Sequence, residues 1–461
     1  MIAIGGSIGS GIFIASGTAI QMAGPGGALL AYSIISLMVY FLMTSLGEMS
    51  TLIPSTGSFC DYASRFVDPA FGFAMSYNYW INWAVTTAVD LSAAALIMHT
   101  WFPAYSFLFW TALFFVLILA LNFASVGFYG EMQYWFSGIK VVAVILFILV
   151  GIFVILGLLG HQKPLDISNW TMGDAPFHKG WVGFISVLMI AGFSFQGTEI
   201  FGITAGETKD PGTSIPRAVR SVFWRILLFY ILSMGVISFL IPYNDPLLIG
   251  ASTTNIGASP FTMIFKMAGL HFAEVTMTLV VLLAILSAAN SSMYTATRTL
   301  WHIAEEGNAP KCLAKVTKHG IPVPALLLSS AVSAIVFLSS IFGQGQFFVW
   351  LLNMSSLTGF IAWFGIALCH YRFRKAYIAQ GYKLSDLPYY TRGFPFGPIF
   401  ALCLCVLVVL GQQFDAWISH SVNIDNLIGT YIGLPAFILL YLGYKLYRGT
   451  KLVPLNKCKF N

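Results

Sequence analysis

Apolar runs of about 20 residues recur along the whole chain, separated by short polar stretches. Each run is long enough to cross a hydrocarbon core of ~30 Å as a helix. The pattern predicts twelve spans, at about 3–23, 28–53, 70–101, 105–126, 135–159, 182–204, 219–242, 272–302, 323–343, 347–371, 395–416 and 427–448. The expected class is therefore an all-α integral membrane protein. Gly24-Pro25-Gly26-Gly27 punctuates the turn between the first two spans. Two runs are not uniformly apolar. The stretch from Trp181 to Ala205 carries Ser194, Gln196, Gly197, Thr198 and Glu199 in its middle, and the first run contains Gly5-Gly6-Ser7-Ile8-Gly9-Ser10-Gly11-Ile12-Phe13. Ionisable groups and non-helical backbone are tolerated at membrane depth only where protein or a water-filled cavity surrounds them. Spans 1 and 6 are therefore expected to be broken helices. Interrupted helices in corresponding positions of two halves point to the binding site of a secondary transporter.

Composition supports this class. Of 461 residues, 58% are hydrophobic and 9% charged, against about 25% charged in soluble domains, and the mean hydropathy is +0.82. No room remains for a sizeable soluble domain. The net charge of +6 reads by position, not as a nucleic-acid signal. Lys163, Lys179 and Lys266 fall in loops on one side and Lys140 lies within a span; the other 19 of the 23 basic residues lie on or near the opposite side. These include Lys209, Arg217, Arg220 and Arg225, then Lys311, Lys315 and Lys318, then Arg372, Arg374 and Lys375, and the tail from Lys445 to Lys459. That bias predicts that both termini face the cytoplasm. The first run reads as a span and not as a cleavable leader. The six cysteines are scattered, with no CxxC and no His/Cys cluster, so neither a disulfide framework nor a metal site is expected. No nucleophile–base arrangement or phosphate-cradling loop argues for an enzyme or a cofactor.

Several residues are candidates for chemistry. Gly9-Ser10-Gly11 opens the outer half of span 1, where unpaired backbone N–H groups and the helix dipole suit a carboxylate and glycine permits close approach. The competing explanation is tight helix packing through small residues. Asp90 and Glu199 are carboxylates deep within spans; a buried structural role, for Asp90 beside Lys140 or Arg298, is the alternative to a ligand role. Asn78, Asn290 and Asn353 add possible acceptors. Lys140 is the basic residue well inside a span, and the alternative for it is snorkelling to the interface. Glu48 is expected to be structural, capping a loop or pairing with Arg298. Glu207 and Arg217 are candidates for an ion pair at the inner gate.

The segments Gly5–Phe13, Gly192–Gly202, Gly206-Glu207…Asp210-Pro211…Ile215-Pro216-Arg217-Ala218, and Arg298…Ala304…Gly307…Pro310…Pro322 resemble, in this order, those of amino-acid permeases of the amino acid–polyamine–organocation superfamily. Met1–Gly11, Tyr40–Glu48, Asn78–Asp90, Gly192–Glu199, Arg217–Tyr230 and His370–Arg374 are most similar to its bacterial lysine-transporting members. The resemblance implies one transmembrane domain over 1–461 with a LeuT-like 5+5 inverted repeat, repeats at 1–160 and 181–371 and extra helices at 393–450. It implies proton-coupled import of L-lysine across the bacterial inner membrane, with lysine, protons and the lipid bilayer as partners and no cofactor. For the site it implies that Gly9, Ser10 and Gly11 take the substrate carboxylate. The carbonyls of Ser7, Phe193 and Gln196 would take the α-ammonium, and the Phe195 ring would either cover the ligand or be a packed core aromatic. Asp90 or Glu199 would answer the second positive charge, Glu199 serving the mechanism as an alternative. Lys140 would place a fixed ammonium where sodium-coupled relatives hold a cation. A permease or exchanger for another amino acid, or an amino-acid-binding membrane sensor, are the rival readings.

Overall fold

In the computed structural model, residues 8–124, 126–160, 163–200, 202, 210–249, 259–412 and 424–460 are described, and their regular structure is helical throughout. The main helices are α1 (Gly11–Leu52), α2 (Phe59–Phe66), α3 (Pro69–Trp101), α4 (Phe107–Asn122), α5 (Val126–Ile155) and α6 (Gly180–Phe195). They continue with α7 (Pro211–Arg225, prolonged through a π-helical stretch Ile226–Leu232 into Ser233–Leu240), α8 (Pro260–Met267), α9 (His271–Glu305), α10 (Val323–Ser333), α11 (Gln344–Ala379), α12 (Phe396–Gly411) and α13 (Gly433–Arg448). Among the described residues seven helical stretches are long and apolar enough to cross a membrane, and α4, α6 and α12 are shorter apolar helices.

The first two expected spans form one helical stretch with a break at its glycine-rich punctuation. Gly24 adopts φ 72° and ψ 175°, a conformation that admits glycine readily, and Pro25 follows it. The N–H groups of Gly26 and Gly27, which a proline kink removes from the helix ladder, donate instead to the carbonyl of Pro176 at 2.9 and 3.2 Å. Other helix starts follow local rules. Asp68 caps α3 by accepting from the Ala70 N–H with Pro69 at the first helical position. Ser106 caps α4 and Ser259 caps α8 in the same way.

Burial separates the helices into core and periphery. α3 is the central element: 83% of its most apolar window is buried, and it packs against α4, α9, α10, α11 and α13. Its run of small residues, including Ala84, Ala88, Ala93 and Ala94, all at or near 0% exposure, lets those neighbours approach closely. α5 is two-faced. Val144 and Phe147 are buried, whereas Val142, Ile145, Leu146, Leu149 and Phe153 are exposed. So large a contiguous apolar face is unsuited to water and is the face a bilayer covers.

One end of the bundle is basic and is pinned by a buried ion pair. Arg374 of α11 donates through Nε to Glu48 Oε1 at 2.5 Å and through Nη2 to Oε2 at 2.6 Å. The Thr391 N–H adds a bond to Oε2 at 2.7 Å, and His370 Nε2 lies 3.4 Å from Oε1. Glu48 is thus structural, as the sequence suggested, but its partner is Arg374. Arg298 instead donates to the Gly320 carbonyl and lies over the rings of Tyr294 and Trp301.

Candidate functional site

The break expected in span 6 falls at the end of α6. The helix stops at Phe195, Gln196 turns to φ −58° and ψ 148°, and Gly197 takes φ +91°. The polar residues that made this run anomalous are the ones that turn here. Gln196 N–H bonds to the Phe193 carbonyl and Thr198 N–H to that of Phe195, at 3.2 and 3.4 Å, so the unwound backbone satisfies part of its own need. The start of α1 departs from regular helix as well: Gly11–Ala15 form a π-helical turn preceded by Ser10, a local feature that recurs at functional sites.

The two breaks touch. A Cβ at Gly11 would stand 2.5 Å from the Cα of Ser194, and one at Gly9 would stand 2.8 Å from the Ala288 Cβ of α9. Glycine at these positions lets the opening of α1 lie between α6 and α9, so both the packing and the ligand-approach readings of these residues are compatible with one geometry. Ser194 shares a 2.8 Å hydrogen bond with Tyr32 of α1. On the other side, Ser10 Oγ donates to Asp90 Oδ1 at 2.6 Å, with both side chains almost fully buried. A small cavity at this crossing is bordered by Gly9, Ser10, Gly11, Asp90, Phe193 and Gln196. Its free space is about 20 Å³, room for about one water and far less than an amino acid fills.

Of the residues expected in the site, these six come together. Phe195, next to Gln196 in the chain, does not border this cavity; its ring is fully buried, stacks on Tyr230 with centroids 4.0 Å apart and lies 6.1 Å from the Tyr32 ring. Glu199 is buried behind the break. Its carboxylate accepts from Tyr79 Oη at 3.4 Å, Trp363 Nε1 at 3.3 Å and the Gly197 N–H at 3.3 Å. Lys140 is 1% exposed, so it does not snorkel, and it interacts electrostatically with Asp90. Ser7 and Glu207 lie outside the described residues.

The asparagines serve packing between helices. Asn78 donates to the Thr358 carbonyl at 2.8 Å, Asn290 accepts from Asn122 at 2.8 Å, and Asn353 donates to Thr430 Oγ1 at 3.3 Å. Sequence reasoning missed the polar layer behind the break. Gln196 donates to the Ser355 carbonyl at 2.9 Å, and Thr358 donates to Asn82 Oδ1 at 2.9 Å. Ser355 and Thr86 share a 2.7 Å bond. Serines and threonines inside apolar runs are ordinary in membrane helices, and only their assembly around Gln196 distinguishes these. A larger vestibule of about 260 Å³ opens at the basic end and is bordered by Tyr79, Ile200, Ser291, Arg298 and His302. It reaches the underside of the break, where Tyr79 binds Glu199.

Comparison with known proteins agrees with this architecture. The amino acid permease family model matches residues 1–457. The lysine-specific permease LysP of Escherichia coli (strain K12) is 52% identical over 460 residues, covering 100% of this chain and 94% of that protein. LysP of Lactococcus lactis subsp. cremoris is 49% identical, covering 99% of this chain and 90% of that protein. The histidine permease HisP of the same organism is also 49% identical, with 99% and 95% covered. Among solved structures, a manganese transporter of Eremococcus coleocola superposes with a TM-score of 0.53 at 15% identity, covering 97% of this chain and 92% of that one; this likeness concerns the fold. With the family model spanning nearly every residue and half the positions shared with characterised permeases, the chain is a multi-pass membrane transporter and not an enzyme, and it belongs to the amino acid permease family.

Proposed function

We propose that this permease imports L-lysine together with protons across the bacterial inner membrane by alternating access, using twelve spans arranged as a 5+5 inverted repeat with two additional helices. The observation that carries the reading is the contact of two helix breaks around the buried Ser10–Asp90 pair. The N–H groups of Gly9, Ser10 and Gly11 suit a substrate carboxylate, and the carbonyls at the end of α6, those of Phe193 and Gln196, suit its α-ammonium. Ser7 would add a further carbonyl. Glu199 stays with the mechanism, holding the broken helix against α3 and α11.

Asp90 couples the two cargoes in this scheme. In the absence of substrate it takes the Ser10 hydroxyl, a donor that an incoming carboxylate needs. Two carboxylates at one buried position are tolerated when they share a proton, so substrate and proton bind together. Lys140 supplies the fixed ammonium behind Asp90. Its near-complete burial supports that role over a place at the interface. Spans 1, 2, 6 and 7 then rock against spans 3, 4, 8 and 9, with the basic end and both termini cytoplasmic.

Lysine is favoured by the identity to two lysine permeases, yet a histidine permease is as similar as one of them, so histidine is the specific rival. Radiolabelled lysine uptake into proteoliposomes, with and without an inward proton gradient, tests the proposal. Gradient-driven accumulation blocked by unlabelled lysine and not by histidine supports it. Stronger displacement by histidine overturns the substrate assignment, and gradient-independent counterflow overturns the coupling.

A further inference from the structure

The vestibule at the basic end has one wall made by α9. Ser291, Tyr294, Thr295, Arg298 and His302 border it and recur every three or four residues, the spacing of one helix face. Its inner end adjoins the break in span 6, where Ile200 borders it and Tyr79 donates to Glu199. Its volume of about 260 Å³ lies just below the ~300–1,000 Å³ of small-molecule pockets, as suits a ligand as small as an amino acid. The crossing of the two breaks, with about 20 Å³, has no such room.

The vestibule holds a cation without a counter-ion. Arg298 is half-buried, and among the described residues no carboxylate stands within ion-pair distance of it. Its Nη2 donates to the Gly320 carbonyl at 3.2 Å, and the rings of Tyr294 and Trp301 lie 5.3 and 5.6 Å from the guanidinium carbon. These contacts fix the group in place, but neither a carbonyl nor a ring brings the full negative charge of a carboxylate. The acids of this region are engaged elsewhere: Asp61 and Glu306 with His302, and Glu199 with Tyr79 and Trp363. A guanidinium has more N–H donors than one carbonyl uses, in a fork that matches a carboxylate. Held in advance by its neighbours, it binds an incoming carboxylate through charge-assisted bonds with little further ordering.

We propose that the vestibule is a second amino-acid site, in which Arg298 receives the carboxylate of the transported amino acid after it leaves the two breaks. The assignment rests on the transport reading above and adds a station to it. Release at the basic end then takes two steps, with the substrate passing from backbone groups at the breaks to a side-chain cation beside them.

The test counts radiolabelled L-lysine bound to purified full-length protein in lipid nanodiscs by equilibrium dialysis. Two lysines per chain are expected in the unsubstituted protein. Gly11→Ala, which disturbs the breaks, should keep the vestibule lysine. Adding Arg298→Met to it should weaken that binding at least tenfold, and adding Arg298→Lys, which keeps the charge, should weaken it less. Lysinamide, which lacks the carboxylate, should not compete there. Binding that is absent in Gly11→Ala, or unchanged by Arg298→Met, overturns the site. Displacement by inorganic phosphate as readily as by lysine makes it a general anion site and overturns the amino-acid assignment. Thermal melting verifies that each variant is folded, and Thr299→Phe, which narrows the cavity beside an intact guanidinium, serves if Arg298→Met does not fold. If Gly11→Ala binds both lysines as the unsubstituted protein does, the reading of the breaks fails while the Arg298 comparison still decides the vestibule. If uptake selects histidine, the lysine reading fails and the same counts with L-histidine decide the second site.

Discussion

Replacing Gly11 by alanine tests the central claim that two broken helices meet at the site. The added Cβ would stand 2.5 Å from the Cα of Ser194, 3.1 Å from its Oγ and 3.2 Å from its Cβ. Ordinary contact begins about an ångström beyond the first of these. The obstacle is backbone, so no change of rotamer relieves it; α1 and α6 must separate. Overpacking of this kind costs about 1–3 kcal/mol, while alanine returns up to ~1 kcal/mol of helix propensity. Stability should therefore fall by about 0–3 kcal/mol. Transport suffers more if, as proposed, substrate bridges both breaks: a misplacement of this size costs ~100-fold where geometry is critical, and a loss of at least tenfold in initial uptake rate is expected. Gly443→Ala in α13, where nothing lies within 4 Å of the new Cβ, is the control and should transport normally. Uptake by Gly11→Ala within twofold of the unsubstituted protein, at equal expression, would refute the reasoning.

Other substitutions probe separate parts of the structure. Lys140→Ala should abolish proton-driven accumulation or leave only gradient-independent exchange; normal pH-dependent accumulation would remove Lys140 from the coupling scheme. Glu48→Gln and Arg374→Met each leave a buried partner uncompensated and should cost about 3–5 kcal/mol, read as a lowered melting temperature in detergent, with the double variant less damaged than the two losses added together. Asp68→Ala removes the cap of α3 and should cost about 0.5–2 kcal/mol. For Asp68, burial pushes the carboxyl up, but the Lys445 ammonium at 2.8 Å and the Ala70 N–H at 2.9 Å outweigh it and hold the carboxyl below its usual range. Its contribution is thus present above the unfolded pKa of about 3.9 and is lost as pH falls through the lower folded value. Melting curves of Asp68→Ala and the unsubstituted protein should converge toward acid, and a constant gap would contradict this.

What the sequence reveals depends on how local the cause is. The break after Phe195 was legible because four polar residues and a glycine in the middle of an apolar run have no other tolerable explanation in a membrane. The turn at Gly24 was legible from its glycine and proline neighbours, and the non-helical backbone there divides two helices where the pattern placed the boundary of the first two spans. Asp90 and Ser10 are 80 residues apart, and nothing in either segment announces the other. Glu48 was correctly read as structural but given the wrong cation, since Arg298 and Arg374 both lie near the basic end and only packing decides which reaches it. Phe195 could not be distinguished from a ligand-covering ring without Tyr230 beside it. Asp61 and His302 are the extreme case: they pair across 241 residues of chain, and nothing in either segment announces the other.

The two deep carboxylates share a design that bears on how the transporter moves. Asp90 projects from α3 and binds the opening of α1; Glu199 projects from the broken end of α6 and accepts from Tyr79 of α3 and Trp363 of α11. Each broken helix is thus fastened to the rigid centre of the bundle through a carboxylate in a dry environment. A buried carboxylate that loses its donors without replacement is costly, so neither helix can slide while its acid remains unmatched. In the proposed scheme substrate and proton supply the replacement: a proton for the charge on Asp90, and a zwitterion for the backbone groups at both breaks. On that proposal the fastening disfavours leak and permits the loaded step. The proposed scheme then assigns the differential affinity that drives the cycle to the hydrogen bonds of Ser10, Tyr79 and Trp363. Removing the Ser10 hydroxyl with Ser10→Ala should loosen the fastening at Asp90 while sparing Glu199. The expected result is a proton leak measurable in liposomes without lysine; a variant as tight as the unsubstituted protein would show that Asp90 is held by packing alone.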